Sequence, residues 1–138
     1  MLNKNTGVLT AKDLMLKLGK FPCLNTKSIL KEALDQMTIL KMGICCVMNG
    51  KKLAGIITDG DFRRRILDQQ KPISFFLVDD VITHSIKNPI TINSNEKIIN
   101  AVKIMEKNLI WDLPVVDSDK NLIGLLHLHP IVKKLLSI

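Results

Sequence analysis

Residues 55–64 of the chain read GIITDGDFRR, a short apolar segment that turns at a glycine into a charged segment. The apolar run 53–57 predicts a buried strand, and Asp61 is a suitable N-cap for a helix that follows it. Just upstream, the continuous apolar run 44–48 predicts a second strand. Asn49-Gly50 between the two runs predicts a tight hairpin turn. The segment therefore predicts two antiparallel strands followed by a helix.

An amphipathic helix is predicted before these strands. Its apolar residues recur at the spacing of one helix face, namely Leu30, Ala33, Leu34 and Met37. Thr26 is the predicted N-cap, and Gly43 is predicted to end the helix as a C′ glycine. A short strand is expected near Cys23-Leu24. The unit is thus β-α-β-β-α.

The same unit occurs a second time, 67 to 69 residues further on. Residues 124–133 read GLLHLHPIVK and align with residues 55–64. The other matching elements are a helix with Ser94 as N-cap and the stripe Ile98, Ala101, Val102 and Met105, strands over 89–92, 113–116 and 122–126, and a last helix over 130–136. We therefore predict an α/β fold of two β-α-β-β-α repeats related by a pseudo-two-fold axis. The predicted domains are 1–75 and 76–138, with a joint over 71–76.

Composition and charge favour a globular protein of the cytoplasm. The chain has 138 residues, 46% hydrophobic and 24% charged, and none of its apolar runs is long enough to span a bilayer. Three cysteines, an odd number with two of them adjacent, predict reduced thiols. The net charge of +7 comes from lysines dispersed among acids, and there is no tyrosine, so we expect neither a nucleic-acid partner nor a membrane partner.

The repeat and its motifs resemble a tandem pair of CBS domains, which are regulatory modules of the cystathionine-β-synthase type. The resemblance extends from about Leu9 to Ile138 and is carried mainly by residues 55–64. Within that superfamily, residues 58–64, residues 124–129 and the lead-in 9–15 are similar to the C-terminal pair of arabinose 5-phosphate isomerases. The resemblance implies a regulatory chain with no catalytic residue and no required cofactor. Its parent protein would interconvert ribulose 5-phosphate and arabinose 5-phosphate, for lipopolysaccharide or capsule sugar, in a separate sugar-isomerase domain.

A nucleotide site is predicted at the end of the first repeat's strand. The Asp61 carboxylate suits a ribose diol, the Thr58 hydroxyl can donate to a phosphate, and the guanidinium groups of Arg63 and Arg64 suit phosphate. The resemblance assigns Thr58 and Asp61 to an adenosine-nucleotide site. The expected effector is an adenosine nucleotide or a nucleotide-sugar in the cleft between the repeats.

Two other interpretations of this motif remain open. Asp61 can be a simple N-cap, Thr58 a strand end and the arginines a solvated helix face. Alternatively, Asp59-x-Asp61 can be a metal-binding pair, although no third ligand lies close in sequence. In the second repeat His127 replaces the threonine and Pro130 replaces the aspartate, so no second ribose clamp is expected there.

Several further residues are candidates for lesser roles. His127 and His129 alternate on a predicted strand and would place both rings on one face, as a ligand-lining pair or a chelating pair. No metal site is predicted from them, because no further ligand accompanies them. Cys45 and Cys46 are interpreted as small buried hydrophobes. Trp111 is predicted to be a partly buried packing residue, with a ligand cleft or a dimer face as its alternatives, and His84 is given no role.

A homodimer is implied by the resemblance, because CBS pairs associate through their helices. Leu67, Ile131 and Leu135 are predicted to lie on the uncovered helix surface. The alternative function is a ligand-free dimerisation or interaction module.

Overall fold

The computed structural model of the chain describes residues 8–136 and divides them into two compact units. One unit is Gly19–Pro89, and the other combines residues 8–18 with residues 90–136. These units differ from the consecutive segments 1–75 and 76–138. The reason is that the lead-in before the first repeat joins the sheet of the second, while residues 76–89 stay with the first.

The regular elements alternate between helices and strands in the predicted repeating order. In chain order they are α1 (Ala11–Leu14), β1 (Leu16–Lys17), β2 (Cys23–Asn25), α2 (Leu30–Leu40), β3 (Ile44–Asn49), β4 (Lys52–Thr58), α3 (Asp59–Asp68), α4 (Ile73–Phe76), a 3₁₀-helix (Val81–His84), β5 (Ile86–Lys87), β6 (Ile92–Asn93), α5 (Ile98–Asn108), β7 (Asp112–Val116), β8 (Leu122–His127) and α6 (Leu128–Leu135). In residues 8–136 no helix is long and apolar enough to cross a membrane.

The Gly19–Pro89 unit contains a four-stranded sheet in the order β2-β3-β4-β5. Strand β2 is parallel to β3, and the other neighbours are antiparallel. The hairpin between β3 and β4 is confirmed, with Gly50 at a φ of 64° that favours glycine. The stripe of α2 is buried against the sheet, in a core that includes Leu30, Ala33, Met37, Cys45, Val47, Ile57 and Phe62.

Helix α2 begins and ends at positions that differ from the prediction. Its N-cap is Ile29, so the assignment of Thr26 is wrong. Residue 26 lies in a turn in which Asn25 accepts a hydrogen bond from the backbone of Lys27 at 2.8 Å. The helix ends at Leu40 because Lys41, not Gly43, takes the left-handed conformation, with φ 55°.

The second repeat shows the same departures from the prediction. Helix α5 begins after Lys97 and not after Ser94, because Asn93 forms the equivalent turn by accepting from the Asn95 backbone at 2.9 Å. The helix ends with Leu109 in the left-handed conformation, at φ 53°. Two non-glycine residues at matching positions thus end the two matching helices.

The unit of residues 8–18 and 90–136 contains a four-stranded sheet in the order β1-β8-β7-β6. The lead-in is held there by β1, which pairs antiparallel with β8 through Leu16↔Leu125 and Lys17↔Gly124. The core of this unit comprises Ala11, Ile92, Ile98, Ala101, Met105, Leu113, Val115, Leu126, Ile131 and Leu135. Ile131 and Leu135 are therefore buried inside their own unit, and their predicted place on an uncovered face is wrong. Leu67 is 79% exposed, as predicted.

Candidate functional site

Thr58 and Asp61 lie together where β4 passes into α3. Thr58 is the N-cap of this helix, and Asp61 is its third residue, so Asp61 is not the N-cap that the sequence suggested. The Asp61 Oδ2 accepts from the backbone N–H and the hydroxyl of Thr58, both at 2.9 Å. The backbone N–H of Asp61 in turn donates to Thr58 Oγ1 at 3.3 Å. The pair is a reciprocal capping box that satisfies two N–H groups of the helix start, those of Thr58 and Asp61.

Arg64 completes a cluster with these two residues. Its Nη2 lies 2.9 Å from Asp61 Oδ1, and the Asp61 side chain is only 10% exposed while that of Arg64 is 60% exposed. Gly60 leaves room for this guanidinium, because a Cβ there would lie 3.2 Å from both of its terminal nitrogens. Arg63 lies on the exposed surface of α3. The structure therefore brings together three of the four predicted nucleotide ligands.

The hydrogen bonds of Asp61 limit what it can bind. A carboxylate offers about four lone-pair sites. Two of them on Oδ2 take the Thr58 hydrogen bonds and one on Oδ1 takes Arg64. One acceptor site on Oδ1 remains while Arg64 stays in place. Asp61 can accept one hydroxyl in this arrangement, and both hydroxyls of a ribose only if Arg64 turns toward a phosphate.

Asp59 belongs to a different environment from Asp61. Its backbone N–H donates to the Gly43 carbonyl at 3.0 Å, and a Cβ on Gly43 would lie 2.7 Å from Asp59 Oδ2. This contact involves only the end of the exposed Asp59 side chain, which can turn aside, so it does not by itself require glycine at position 43. The two carboxylates of Asp59-x-Asp61 have different neighbours. Within residues 8–136, no group of three or more His, Cys, Asp or Glu side chains could hold a metal ion.

The second repeat has a hydrogen-bonded histidine and aspartate at the place of this cap. His127 ends β8, and its Nδ1 lies 2.7 Å from Oδ1 of Asp112 on β7. His129 lies in the first turn of α6, so the prediction that both rings share one strand face is wrong. Asp112 went unrecognised in the sequence. The signal for it is the register Asp112↔His127, which needs the pairing of β7 with β8 to be known.

Burial governs the titration of Asp112. It raises the pKa of this carboxyl above its ordinary value, and the hydrogen bond and charge of His127 oppose the shift only in part. A carboxyl with a raised pKa in the folded state holds its proton more firmly there than in the unfolded chain. Between the two pKa values the folded protein binds more protons, so the stability linked to Asp112 falls as pH rises through that window.

We expect Asp112→Asn to remove this pH dependence. Relative to the variant, the wild type should lose stability as pH rises from about 3.5 toward neutrality. Urea unfolding of both proteins, followed by circular dichroism at several pH values, measures the difference. A wild type that gains stability relative to Asp112→Asn as pH rises would contradict the assigned direction of the Asp112 shift.

Each repeat has a groove between its first and last helix, built from matching positions. The groove of the first repeat is lined by Leu34, Met37, Thr38, Lys41, Met42, Gly43 and Asp59. The groove of the second is lined by Val102, Met105, Glu106, Leu109, Ile110, Trp111 and Leu128, each 68 or 69 residues after its counterpart. The first groove is thus partly charged, and the second is almost wholly apolar. Trp111 is 70% exposed there, so the prediction that it is partly buried is wrong.

His84 has a structural position that its sequence context did not reveal. It is buried, its Nε2 lies 2.8 Å from Asp79 Oδ2, and its ring centroid lies 4.7 Å from that of Phe76. Asp79 also pairs with Lys71 at 2.7 Å. These contacts fix the segment after α3 onto its unit, and no spacing rule predicts them.

The CBS domain profile matches residues 11–68 and 78–137, and the chain belongs to the CBS domain family. It is a pair of CBS domains, a class of regulatory module, on a mixed α/β fold. The predicted family and fold are confirmed.

Among curated relatives, the chain is similar to the arabinose 5-phosphate isomerases KdsD of Francisella tularensis and Pseudomonas aeruginosa. It is 30% identical to the first over 126 residues and 35% identical to the second over 127 residues, in each case over 91% of this chain. It spans only 37% and 38% of their lengths. Most of each relative therefore has no counterpart in this sequence.

Among solved structures, the fold is similar to that of CBSX2 in complex with AMP. The TM-score is 0.78 at 23% identity, over 90% of this chain and 93% of that chain. At this identity the similarity shows the shared fold.

Proposed function

We propose that this CBS pair senses a ligand, and that its first repeat binds an adenosine nucleotide or a nucleotide-sugar. The observation that supports this proposal is the cluster of Thr58, Asp61 and Arg64. A buried carboxylate, a hydroxyl and an exposed guanidinium meet there at a helix start, which favours anions. Arg64 would release Oδ1 of Asp61 to a ribose hydroxyl and take the phosphate, with Arg63 as a second cation. CBSX2, which shares the fold, binds AMP.

The module would regulate a sugar-phosphate isomerase. We propose that it acts on a domain that interconverts ribulose 5-phosphate and arabinose 5-phosphate for lipopolysaccharide or capsule sugar, with no catalysis of its own. Support comes from the similarity to two KdsD enzymes over 91% of this chain. The three cysteines, all within residues 8–136, form no disulfide, which suits a reducing compartment, and we place the module in the cytoplasm.

Calorimetry with AMP, ATP and cytidine nucleotides tests the nucleotide site. Asp61→Asn is the preferred variant, because alanine would also remove the cap of α3. Loss of a hydrogen bond to a charged group costs about 1.5–3 kcal/mol, so binding should weaken about ten- to a hundredfold. Pro130→Ala is the matched control at the equivalent position of the second repeat and should bind as the wild type does.

Two outcomes would reject the nucleotide site. One is that none of the nucleotides binds the wild type below about millimolar concentration. The other is that Asp61→Asn binds as tightly as the wild type while its melting temperature shows it to be folded. Either result would favour the second candidate, a ligand-free interaction module.

We also propose a homodimer that associates through its helices. Its contact surface differs from the one predicted from the sequence. The predicted residues Ile131 and Leu135 are buried, whereas the groove of the second repeat exposes Leu109 and Trp111 at 85% and 70%. Val132 and Leu136, one and two turns after Leu128 on α6, are also exposed. A contiguous apolar surface of this kind favours self-association in a two-fold arrangement, in which the same groove of each copy faces the other.

A further inference from the structure

Three sulfur atoms lie on one face of the sheet in the Gly19–Pro89 unit. Cys23 Sγ on β2 lies 3.0 Å from Met48 Sδ on β3. Cys46 is the direct neighbour of Cys23 in the parallel register of these strands. Side chains alternate along a strand, so Cys46 and Met48 share a face of β3, while Cys45 points to the other face and into the core. Two thiols and a thioether are thus grouped at the edge of the sheet.

This donor set selects soft metal ions. Thiolate and thioether ligands favour Cu(I), whereas imidazole and carboxylate ligands suit harder ions. His, Cys, Asp and Glu side chains alone form no metal-binding group of three within residues 8–136. The cluster reaches three donor atoms only because the Met48 thioether is one of them.

The cluster is accessible to a small ion from one side. Cys23 is half-buried and lines an open cavity of about 390 Å³ together with Gly19, Phe21, Gln36, Ile39 and Leu40. Cys46 is fully buried. Cys23 is therefore the member of the cluster that an ion in the cavity would contact, and Met48 Sδ is in contact with its Sγ.

The charge at the site stays balanced when a monovalent ion binds. A Cu(I) ion that binds Cys23 displaces the thiol proton, so one positive charge replaces another and the site keeps its net charge.

We propose that Cys23 and Met48, with Cys46 as the third sulfur, form a binding site for a soft monovalent cation of the Cu(I) type. Cys23 supplies the thiolate, and Met48 supplies a neutral thioether that needs no deprotonation. This site is separate from the cluster of Thr58, Asp61 and Arg64 and does not depend on the proposed nucleotide.

Competition for Cu(I) tests the proposal on the whole chain, kept reduced and free of oxygen. Bicinchoninate serves as the competing chromophoric chelator, and Ag(I) calorimetry gives an independent stoichiometry. We expect one equivalent to bind the wild type, with release of about one proton. Cys23→Ser should lose this uptake. Met48→Leu, which keeps the packing volume, should weaken binding by at least the roughly 10–100-fold that loss of an outer-shell partner costs.

Cys45→Ala is the matched control, because Cys45 lies on the same strand and points to the opposite face. Its affinity for Cu(I) should equal that of the wild type. Failure of the wild type to take up one equivalent against bicinchoninate would overturn the proposal. An equal loss of Cu(I) affinity in Cys45→Ala and Met48→Leu would also overturn it, since it would indicate general thiol binding or unfolding.

Discussion

Gly124→Ala is expected to lower the free energy of unfolding by about 1–3 kcal/mol, the usual cost of overpacking. Gly124 lies on β8 opposite Lys17 of β1. A Cβ at this position would overlap Met15 Sδ and would lie 2.8 Å from the backbone oxygen of Leu16. The methionine side chain can turn aside, but the backbone oxygen can move only if β1 separates from β8. Urea unfolding followed by circular dichroism measures the loss.

Gly60→Ala is the control for this prediction. A Cβ at Gly60 meets only the end of the flexible Arg64 side chain, at 3.2 Å. Alanine in place of glycine within α3 gains up to about 1 kcal/mol of helix propensity, so this variant should be as stable as the wild type or more so. If Gly124→Ala unfolds at the same urea concentration as the wild type, the lead-in does not pack on β8 as described.

The repeat and its main elements could be predicted because their signals are local. The period of α2 and α5, the apolar runs of the strands and the Asn49-Gly50 turn all depend on residues close in sequence. The start of α2 could not be predicted in this way. Ile29 forms a bridge with Asp80, some fifty residues away, and this pairing keeps the chain extended until Leu30. The pairing of β1 could not be predicted for the same reason, because its partner β8 lies in the second repeat.

The part of the candidate site that depends on local spacing could be predicted, and the part that depends on strand pairing could not. Thr58 and Asp61 are three residues apart and follow a strand, which is the spacing of a capping box, and Arg64 follows one helical turn later. The pair of Asp112 and His127 depends on the register of two strands, so sequence spacing did not reveal it. The exposure of Trp111 was missed because a single aromatic residue before a strand gives no periodic signal.

Leu109→Lys is expected to weaken self-association about thirtyfold or more. A residue at the centre of an interface contributes about 2 kcal/mol or more, and each 1.4 kcal/mol is tenfold in affinity. The chain itself shows that lysine is tolerated at this point of the fold. Lys41 occupies the matching position of the first repeat, with φ 55° against 53° for Leu109. The variant should therefore fold normally and differ mainly in the groove, where it would place a positive charge opposite its own copy.

Trp111 reports on this association directly, because it is the chain's only tryptophan and is 70% exposed. Its emission should shift to shorter wavelength as wild-type concentration rises, in parallel with dimer formation in sedimentation equilibrium. Leu109→Lys should delay both changes to higher concentration. Ile39→Lys is the control, since Ile39 is 75% exposed on α2 and lies outside the two grooves. A wild type that stays monomeric at micromolar concentration would reject the interface, and so would an Ile39→Lys variant that dissociates as readily as Leu109→Lys.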